Sequence, residues 1–316
     1  MRLIVGDCLE KLDDVPNASV TTIYLDPPFD SGRDYKMSVN DSTGFKDTWK
    51  GDEYKSFITQ VVDKCIPKLT KDGSLFFHIS ADKMYIPETI LRDKFKFVSP
   101  IFWKKCRSKN NVKSKLGTTI DIIWKCTMSK TSKFNVVKQA KDQKYLENSF
   151  KNKDDRGNYG LGHLGAEKLR KGYMYEFEFN GRTFNPESGW RIQKTELEKL
   201  RDDDRLYPPK KANANLYKKI YLYENEGKPC TDLWDDIHAI GMGAELRLYP
   251  TAKPVKLLER IILISSNEGD TVLDPMCGSG TCALACTNTN RECILIDKND
   301  VSQIIENRLK NKAVRE

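Results

Sequence analysis

Thr271-Val272-Leu273-Asp274-Pro275-Met276-Cys277-Gly278-Ser279-Gly280-Thr281 reads as a short apolar strand that runs into a glycine-rich turn. The turn residues Gly269-Asp270 precede it, and the small residues of Thr281–Thr287 predict a helix after it. Ile294–Ile296 then predicts a further strand, which closes on Asp297. Strand, glycine loop, helix, strand and an acid about 20 residues on form the order of a nucleoside-binding βαβ unit. Glycines let the backbone approach a ligand closely, and the carboxylate can accept ribose hydroxyls. No Gly-Lys-Ser/Thr follows, so this is not a P-loop, and Ala283 occupies the third glycine position of the dinucleotide pattern. A structural turn could use the same loop, so its meaning depends on what accompanies it.

Working outward, a last helix is expected from about Asn299 to Lys312, and Pro254 suits the first turn of a helix carrying Val255, Leu257, Leu258, Ile261, Ile262 and Ile264. Near the start, Arg2–Val5 predicts a strand leading into Gly6-Asp7. Val20–Leu25 predicts a second, which must end at Asp26-Pro27-Pro28 because two prolines cannot continue a ladder. Phe57, Val61, Val62 and Cys65 give Tyr54–Leu69 helical spacing, and Asp72-Gly73 turns into a strand over Ser74–Ile79. Phe97–Trp103 and Ile120–Cys126 are expected to pair antiparallel, with the stretch between them as their loop. The pattern predicts an α/β core in two pieces, residues 1–133 and 247–316. Between them, 134–246 is polar and rich in Lys, Asn, Asp, Tyr and Gly, and reads as an inserted, substrate-facing region. Its many aromatics argue against disorder.

The 316 residues are 39% hydrophobic and 31% charged, ordinary for a globular protein, with no apolar run of membrane-spanning length. Met1–Asp7 is too soon interrupted by charge for a signal peptide, and nine cysteines without a CxxC pair suggest a reducing, cytoplasmic compartment. Cys282 and Cys286, one helical turn apart among small residues, read as packing, and no metal is expected. The net charge is +8. Between Trp103 and Lys133 stand nine Lys/Arg and a single acid, Asp121, so this window carries a surplus as large as the whole chain's. Alone it could be a solvated loop or a polyanion contact.

Asp26-Pro27-Pro28-Phe29 sits at a predicted strand end, where open α/β sheets bind ligands. An exocyclic base amine is a poor nucleophile because its lone pair is delocalised. A carboxylate and a rigidly held backbone carbonyl accepting its two N–H groups would favour pyramidal nitrogen, and an aromatic ring can stack on the base for about 1–3 kcal/mol. The tetrapeptide supplies each part, although a strand-ending turn would look the same.

With the cofactor-type loop downstream, the chain resembles the amino-methyltransferases of DNA. Its order (catalytic motif, target-recognition region, cofactor loop) is similar to that of the β class. The resemblance extends through Gly6-Asp7-Cys8, Tyr249-Pro250-Thr251-Ala252-Lys253-Pro254-Val255, Gly189-Trp190-Arg191 and Asp232-Leu233-Trp234-Asp235-Asp236-Ile237, nearly the whole chain. Met276 stands where the family often has Phe, and Phe29 where it often has Tyr; packing and stacking survive both changes.

The resemblance implies a Rossmann-like S-adenosylmethionine-dependent fold: a mostly parallel sheet with one antiparallel strand, helices on both faces, and an inserted target-recognition region. It implies Asp26, Pro27, Pro28 and Phe29 as catalytic residues. S-Adenosylmethionine would lie against Asp7, Cys8, Asp26, Lys253, Pro254, Asp274, Pro275, Met276, Cys277, Gly278, Ser279, Gly280 and Asp297. Phosphate contacts are expected from Lys104, Lys105, Arg107, Lys109, Lys113 and Lys115, with Arg170, Arg182 and Arg191 in the insertion as phosphate or base contacts. The expected reaction is methylation of adenine N6 in double-stranded DNA by base flipping, Asp at the head of the tetrapeptide favouring adenine. Cytosine N4, RNA, or DNA binding without catalysis are the alternatives. The proton acceptor is left open. A homodimer and a separate cognate restriction endonuclease are compatible partners.

Overall fold

The computed structural model describes residues 1–36, 44–107, 116–211, 214–240 and 251–313. The chain forms two compact units, Met1–Val137 with Pro229–Glu316, and Lys138–Lys228.

The first unit is built on an eight-stranded sheet. Its strands are β1 (Arg2–Val5), β2 (Val20–Leu25), β3 (Leu69–Ser80), β4 (Phe97–Lys104), β5 (Ile120–Thr127), β6 (Leu233–Trp234), β7 (Thr271–Asp274) and β8 (Glu292–Asp297). They lie in the order β1-β8-β7-β2-β3-β5-β4-β6. Every pairing is parallel except the two made by β5, which runs against both β3 and β4. This is the expected fold, a mostly parallel sheet with one reversed strand.

Central strands carry apolar residues on both faces because each face has its own core. Ile23, Leu25, Leu75, Phe77, Ile79, Ile122 and Trp124 pack on one side, and the alternate residues Tyr24, Phe76, Ile123, Val272 and Leu295 on the other. The first face is covered by α1 (Cys8–Lys11), α2 (Glu53–Cys65) and α3 (Tyr85–Lys94), the second by α4 (Val255–Ser265), α5 (Thr281–Asn288) and α6 (Ser302–Ala313). In α2 the buried residues Tyr54, Ile58, Val61, Val62 and Cys65 keep the helical period, as do Leu257, Leu258, Ile261, Ile262 and Ile264 in α4.

Three boundaries differ from expectation. The helix expected through Leu69 stops at Cys65, and Ile66–Lys68 is a 3-10 turn, because Pro67 has no N–H to continue an α-helix. The Asp72-Gly73 turn lies inside β3 as a bulge, seen as the register jump from Val20↔Leu69 to Thr22↔Ser74. The second unit spans Lys138–Lys228, whereas 134–246 was the expected insertion; β6 already pairs with β4 in the large sheet and buries Trp234.

The second unit has a four-stranded antiparallel sheet, a hairpin of Phe177–Phe179 with Arg182–Phe184, and the helix Lys194–Asp202. Asn180 and Gly181 both take positive φ at the hairpin turn, the conformation an Asn-Gly pair accepts most readily. Leu164, Phe177, Phe184, Trp190, Leu197, Leu206 and Leu216 form its own core. Trp190 is fully buried, stacked on Tyr175 and donating Nε1–H to the Tyr175 carbonyl at 2.8 Å.

Candidate active site

A cleft of about 1550 Å³ opens at the carboxyl edge of the large sheet. Asp7, Cys8, Asp26, Pro27, Pro28, Phe29, Lys253, Asp274, Pro275, Met276, Cys277, Gly278, Ser279 and Asp297 all line it, drawn from both ends of the chain. Pro254 and Gly280 stand just behind, as the residues that start α4 and α5.

One half of the cleft has the form of a nucleoside cradle. Gly278 and Gly280 have φ of 46° and 71°, in the left-handed region that favours glycine. A Cβ on Gly280 would fall 2.4 Å from Ile305 Cγ1 of α6, so the turn that admits the loop leaves no room for a side chain. Asp297, at the end of β8, accepts backbone N–H bonds on both oxygens, from Gly278 at 2.8 Å and Asn299 at 2.9 Å. Those bonds fix its direction and leave lone pairs for hydroxyl donors. Burial pushes its carboxyl up from the usual 3.8. Asp7 caps α1 by accepting from Leu9 N–H at 2.9 Å, and Gly6 N–H donates to the Asp297 carbonyl, tying the two chain ends together. Burial, then the charges of Asp26 and Asp297, hold the Asp274 carboxyl well above its usual range, although the Met276 N–H bond opposes them. The thiols that face the cleft stay neutral: burial pushes Cys8 up to about 12 and holds Cys277 well above its usual value.

The other half is organised around Asp26, which follows β2 directly. Its Oδ2 accepts from Lys253 Nζ at 2.5 Å, and the same ammonium lies 5.1 Å from the centre of the Phe29 ring. Phe29 in turn rests on the His78 imidazole, centroid to centroid 5.6 Å. Beyond Phe29 the chain is turned by Asp47, a buried carboxylate that sequence reasoning missed. It accepts from Asp30 N–H at 2.7 Å and Ser31 N–H at 3.0 Å, while its carbonyl accepts from Gly32. Lys83 closes the same loop through an ion pair of 2.7 Å with Asp30.

A row of polar groups also lies beneath Asp26. His78 is wholly buried, with Nδ1 2.7 Å from the Tyr24 hydroxyl and 3.7 Å from Asp26 Oδ1, and Nε2 3.4 Å from Asp121 Oδ2. Lys105 Nζ pairs with Asp121 Oδ1 at 2.6 Å. Burial raises the Asp121 carboxyl, but the His78 hydrogen bond and the Lys105 ammonium oppose it, and the group lies below the usual carboxylate value. Burial, then the Asp26 charge, keeps the Tyr24 hydroxyl protonated far above its ordinary range. The signal for this row was present in the sequence: a histidine inside the apolar run Leu75–Ile79, and the one acid of a basic window.

The basic residues are distributed differently. Lys104 and Arg107 are exposed, Lys105 is taken up by Asp121, and Lys109, Lys113 and Lys115 fall outside the described residues. In the second unit, Arg170 lies 4.1 Å from the Tyr173 ring centre and donates to the Arg191 carbonyl, Arg191 pairs with Glu167, and Arg182 lies 4.8 Å from the Phe184 ring centre. Among the described residues no cluster of three or more His, Cys, Asp or Glu could hold a metal ion, and no helix is long and apolar enough to cross a membrane.

Comparison with known proteins gives a consistent result. The profile of the N6_N4_Mtase family, described as DNA methylase, matches residues 20–306. The DNA adenine methyltransferase YhdJ of Escherichia coli (strain K12) is 27% identical over 297 residues, covering 94% of this chain and 78% of the relative. The type II methyltransferase M.EcaI of Enterobacter cloacae is 27% identical over 280 residues, covering 87% of this chain and 61% of the relative's length. In fold, the chain resembles the solved PvuII DNA methyltransferase (cytosine-N4-specific), with a TM-score of 0.52 at 14% identity, covering 94% of this chain and 81% of that one.

Proposed function

This chain belongs to the N6_N4_Mtase family of DNA methylases, and we propose that it transfers a methyl group from S-adenosylmethionine to adenine N6 at a specific sequence in double-stranded DNA. The observation that carries the reading is the meeting, in one cleft, of the Asp26 carboxylate with the 274–280 loop and Asp297. The residues fit the donor. Gly280 cannot take a Cβ, Asp297 is aimed by two backbone bonds, and the cleft exceeds the roughly 300–1,000 Å³ typical of one small ligand. It therefore has room for both a nucleoside donor and an extruded base.

S-Adenosylmethionine supplies an electrophilic sulfonium methyl group. Asp297 accepts from the ribose hydroxyls, Met276 packs on the adenosine, and Asp7 and Cys8 bound the methionine end. The base leaves the duplex, because its amine cannot otherwise reach the methyl group. Phe29 stacks on it, while Asp26 and the Pro27 carbonyl accept the amine's two hydrogens and aim its lone pair. Lys253 now holds Asp26 Oδ2, so binding of the base exchanges an ammonium donor for an amine donor on that oxygen. Alignment of this kind can lower a barrier by about 7–11 kcal/mol, and the neutral Cys8 and Cys277 thiols are unsuited to covalent attack on a base. The exposed Lys104 and Arg107, with Lys109, Lys113 and Lys115, contact phosphates in this reading, and the second unit, with Arg170, Arg182 and Arg191, meets the target sequence. A separate cognate restriction endonuclease goes with the same reading.

Adenine is favoured by the Asp heading the tetrapeptide and by the adenine specificity named for YhdJ, which matches across 94% of this chain. The test is sequencing of DNA from cells carrying the wild type or Asp26→Ala, with modified-base detection, and nucleoside mass analysis of the product. N6-methyladenine is expected at one sequence with the wild type alone. N4-methylcytosine would replace the base assignment, and the same marks with Asp26→Ala would remove Asp26 from catalysis.

A further inference from the structure

Methylation leaves the amine nitrogen with one proton too many. We propose that this proton is received by His78 by way of Asp26, with Asp121 as the counter-charge of the imidazolium that results. The inference rests on the function proposed above and deepens it.

The donors and acceptors in the row decide the starting state. Asp121 is paired with the Lys105 ammonium and so is an ionised acceptor, and His78 Nε2 must carry the hydrogen directed at it. Nδ1 then presents a lone pair, which the Tyr24 hydroxyl satisfies at 2.7 Å. Across 3.7 Å stands Asp26 Oδ1, buried and with no hydrogen-bond partner among the described residues. Two acceptors therefore face each other with no hydrogen between them, an arrangement that costs free energy in a dry site and that one added proton relieves. Tyr24 does not obstruct this, since its hydroxyl can turn from donating to Nδ1 to accepting from it. Among the described residues, the groups around the ring are Tyr24 of β2, Asp26 just after it, Asp121 of β5 with Lys105 of the segment after β4 behind it, and the rings of Phe29 and Trp103.

The step balances. The nitrogen lone pair forms the new N–C bond as the S–C bond breaks and its electrons return to sulfur, leaving a neutral thioether. One N–H proton passes to the Asp26 carboxylate, restoring a neutral methylamine. Rotation about the soft terminal torsion of Asp26 carries that proton to Nδ1. Asp26 is again an anion, the imidazolium lies between two carboxylates, and the proton goes to water when the cleft empties. His78 touches no substrate, so it is a positioning residue that acts through Asp26.

Two measurements test this. The protein has three histidines, His78, His163 and His238, so ¹⁵N-histidine spectra can be assigned by substitution. The free protein is expected to show His78 neutral with its hydrogen on Nε2, to take up one proton as pH falls, and to take it up at lower pH in Asp26→Asn. A hydrogen on Nδ1 of the neutral ring, or a titration indifferent to Asp26→Asn, overturns the proposal. In single-turnover methyl transfer, the wild-type rate should fall toward acid as His78 fills. His78→Asn keeps a polar atom near Nδ1 but cannot take a proton. It should lose that acid limb and about 10- to 100-fold in rate, with S-adenosylmethionine affinity and the KM for DNA within about twofold. If the wild type methylates DNA, Asp26→Ala does not, and His78→Asn keeps both rate and acid limb, the His78 role alone is overturned. If the wild type methylates no DNA, the function and this inference fall together.

Discussion

In the role proposed for it, Asp297 would serve binding through a carboxyl whose burial opposes its charge. Burial lifts its carboxyl above 3.8, so the neutral acid survives to higher pH than at an exposed site. In the proposed function the ribose needs the ionised form, because only that form offers acceptors on both oxygens beyond the two N–H bonds already made. Affinity for S-adenosylmethionine is therefore expected to weaken as pH falls through the raised value, in the acid range above 3.8. The linkage for folding has the opposite sign. A carboxyl whose folded value is raised contributes most stability below its unfolded value, and that contribution is lost as pH rises through the folded one. Asp297→Asn should thus bind S-adenosylmethionine about 10-fold more weakly at neutral pH, lose the acid dependence, and change Tm little, because relief of the buried charge is offset by the backbone N–H that the amide nitrogen cannot accept. Calorimetric titration across pH, with thermal melts of the same samples, checks all three. A variant that binds as the wild type does would remove Asp297 from the ribose.

At the scale of elements, the loop–helix joint at Gly280 is the most exacting feature. Gly280→Ala combines a positive φ with a Cβ driven into Ile305, and should cost about 2–4 kcal/mol, read as a lower denaturant midpoint with an unchanged slope. Full stability in this variant would mean that α6 can move aside. Elements of this kind were legible because their signals are local: the glycines, the double proline after Leu25, and the apolar periods of α2 and α4 each declare a boundary. What was not legible depended on partners distant in sequence. Leu233–Trp234 is a strand only because β4 is there to pair with it. Asp47 looks like any surface acid until the backbone of residues 30–32 folds onto it. Asp121 reaches the site because β5 is reversed, which brings the beginning of that strand, paired with Ser80, to the edge where its parallel neighbours end. One strand direction thus converts the lone acid of a basic window into a partner of His78.

For the whole molecule, two units with separate cores imply separable losses. Trp190→Ala removes the largest side chain from the core of Lys138–Lys228 and should destabilise that unit by about 3–5 kcal/mol. If the second unit meets the target sequence, this variant should keep its affinity for S-adenosylmethionine while losing discrimination between cognate and non-cognate duplexes, measured by fluorescence anisotropy. Loss of cofactor affinity would show instead that the two units are not separable in function. The order of the sheet also bears on how the protein is made. β2 is central, yet one of its two neighbours, β7, is translated some 250 residues later, as the bond from Thr21 to the Thr271 carbonyl records. While the chain grows, one flank of an apolar strand stays open, a state that favours chaperone capture and slow maturation. Lys253 and the donor cradle also arrive only with this late segment, so a half-synthesised chain has no assembled cleft with which to mark DNA.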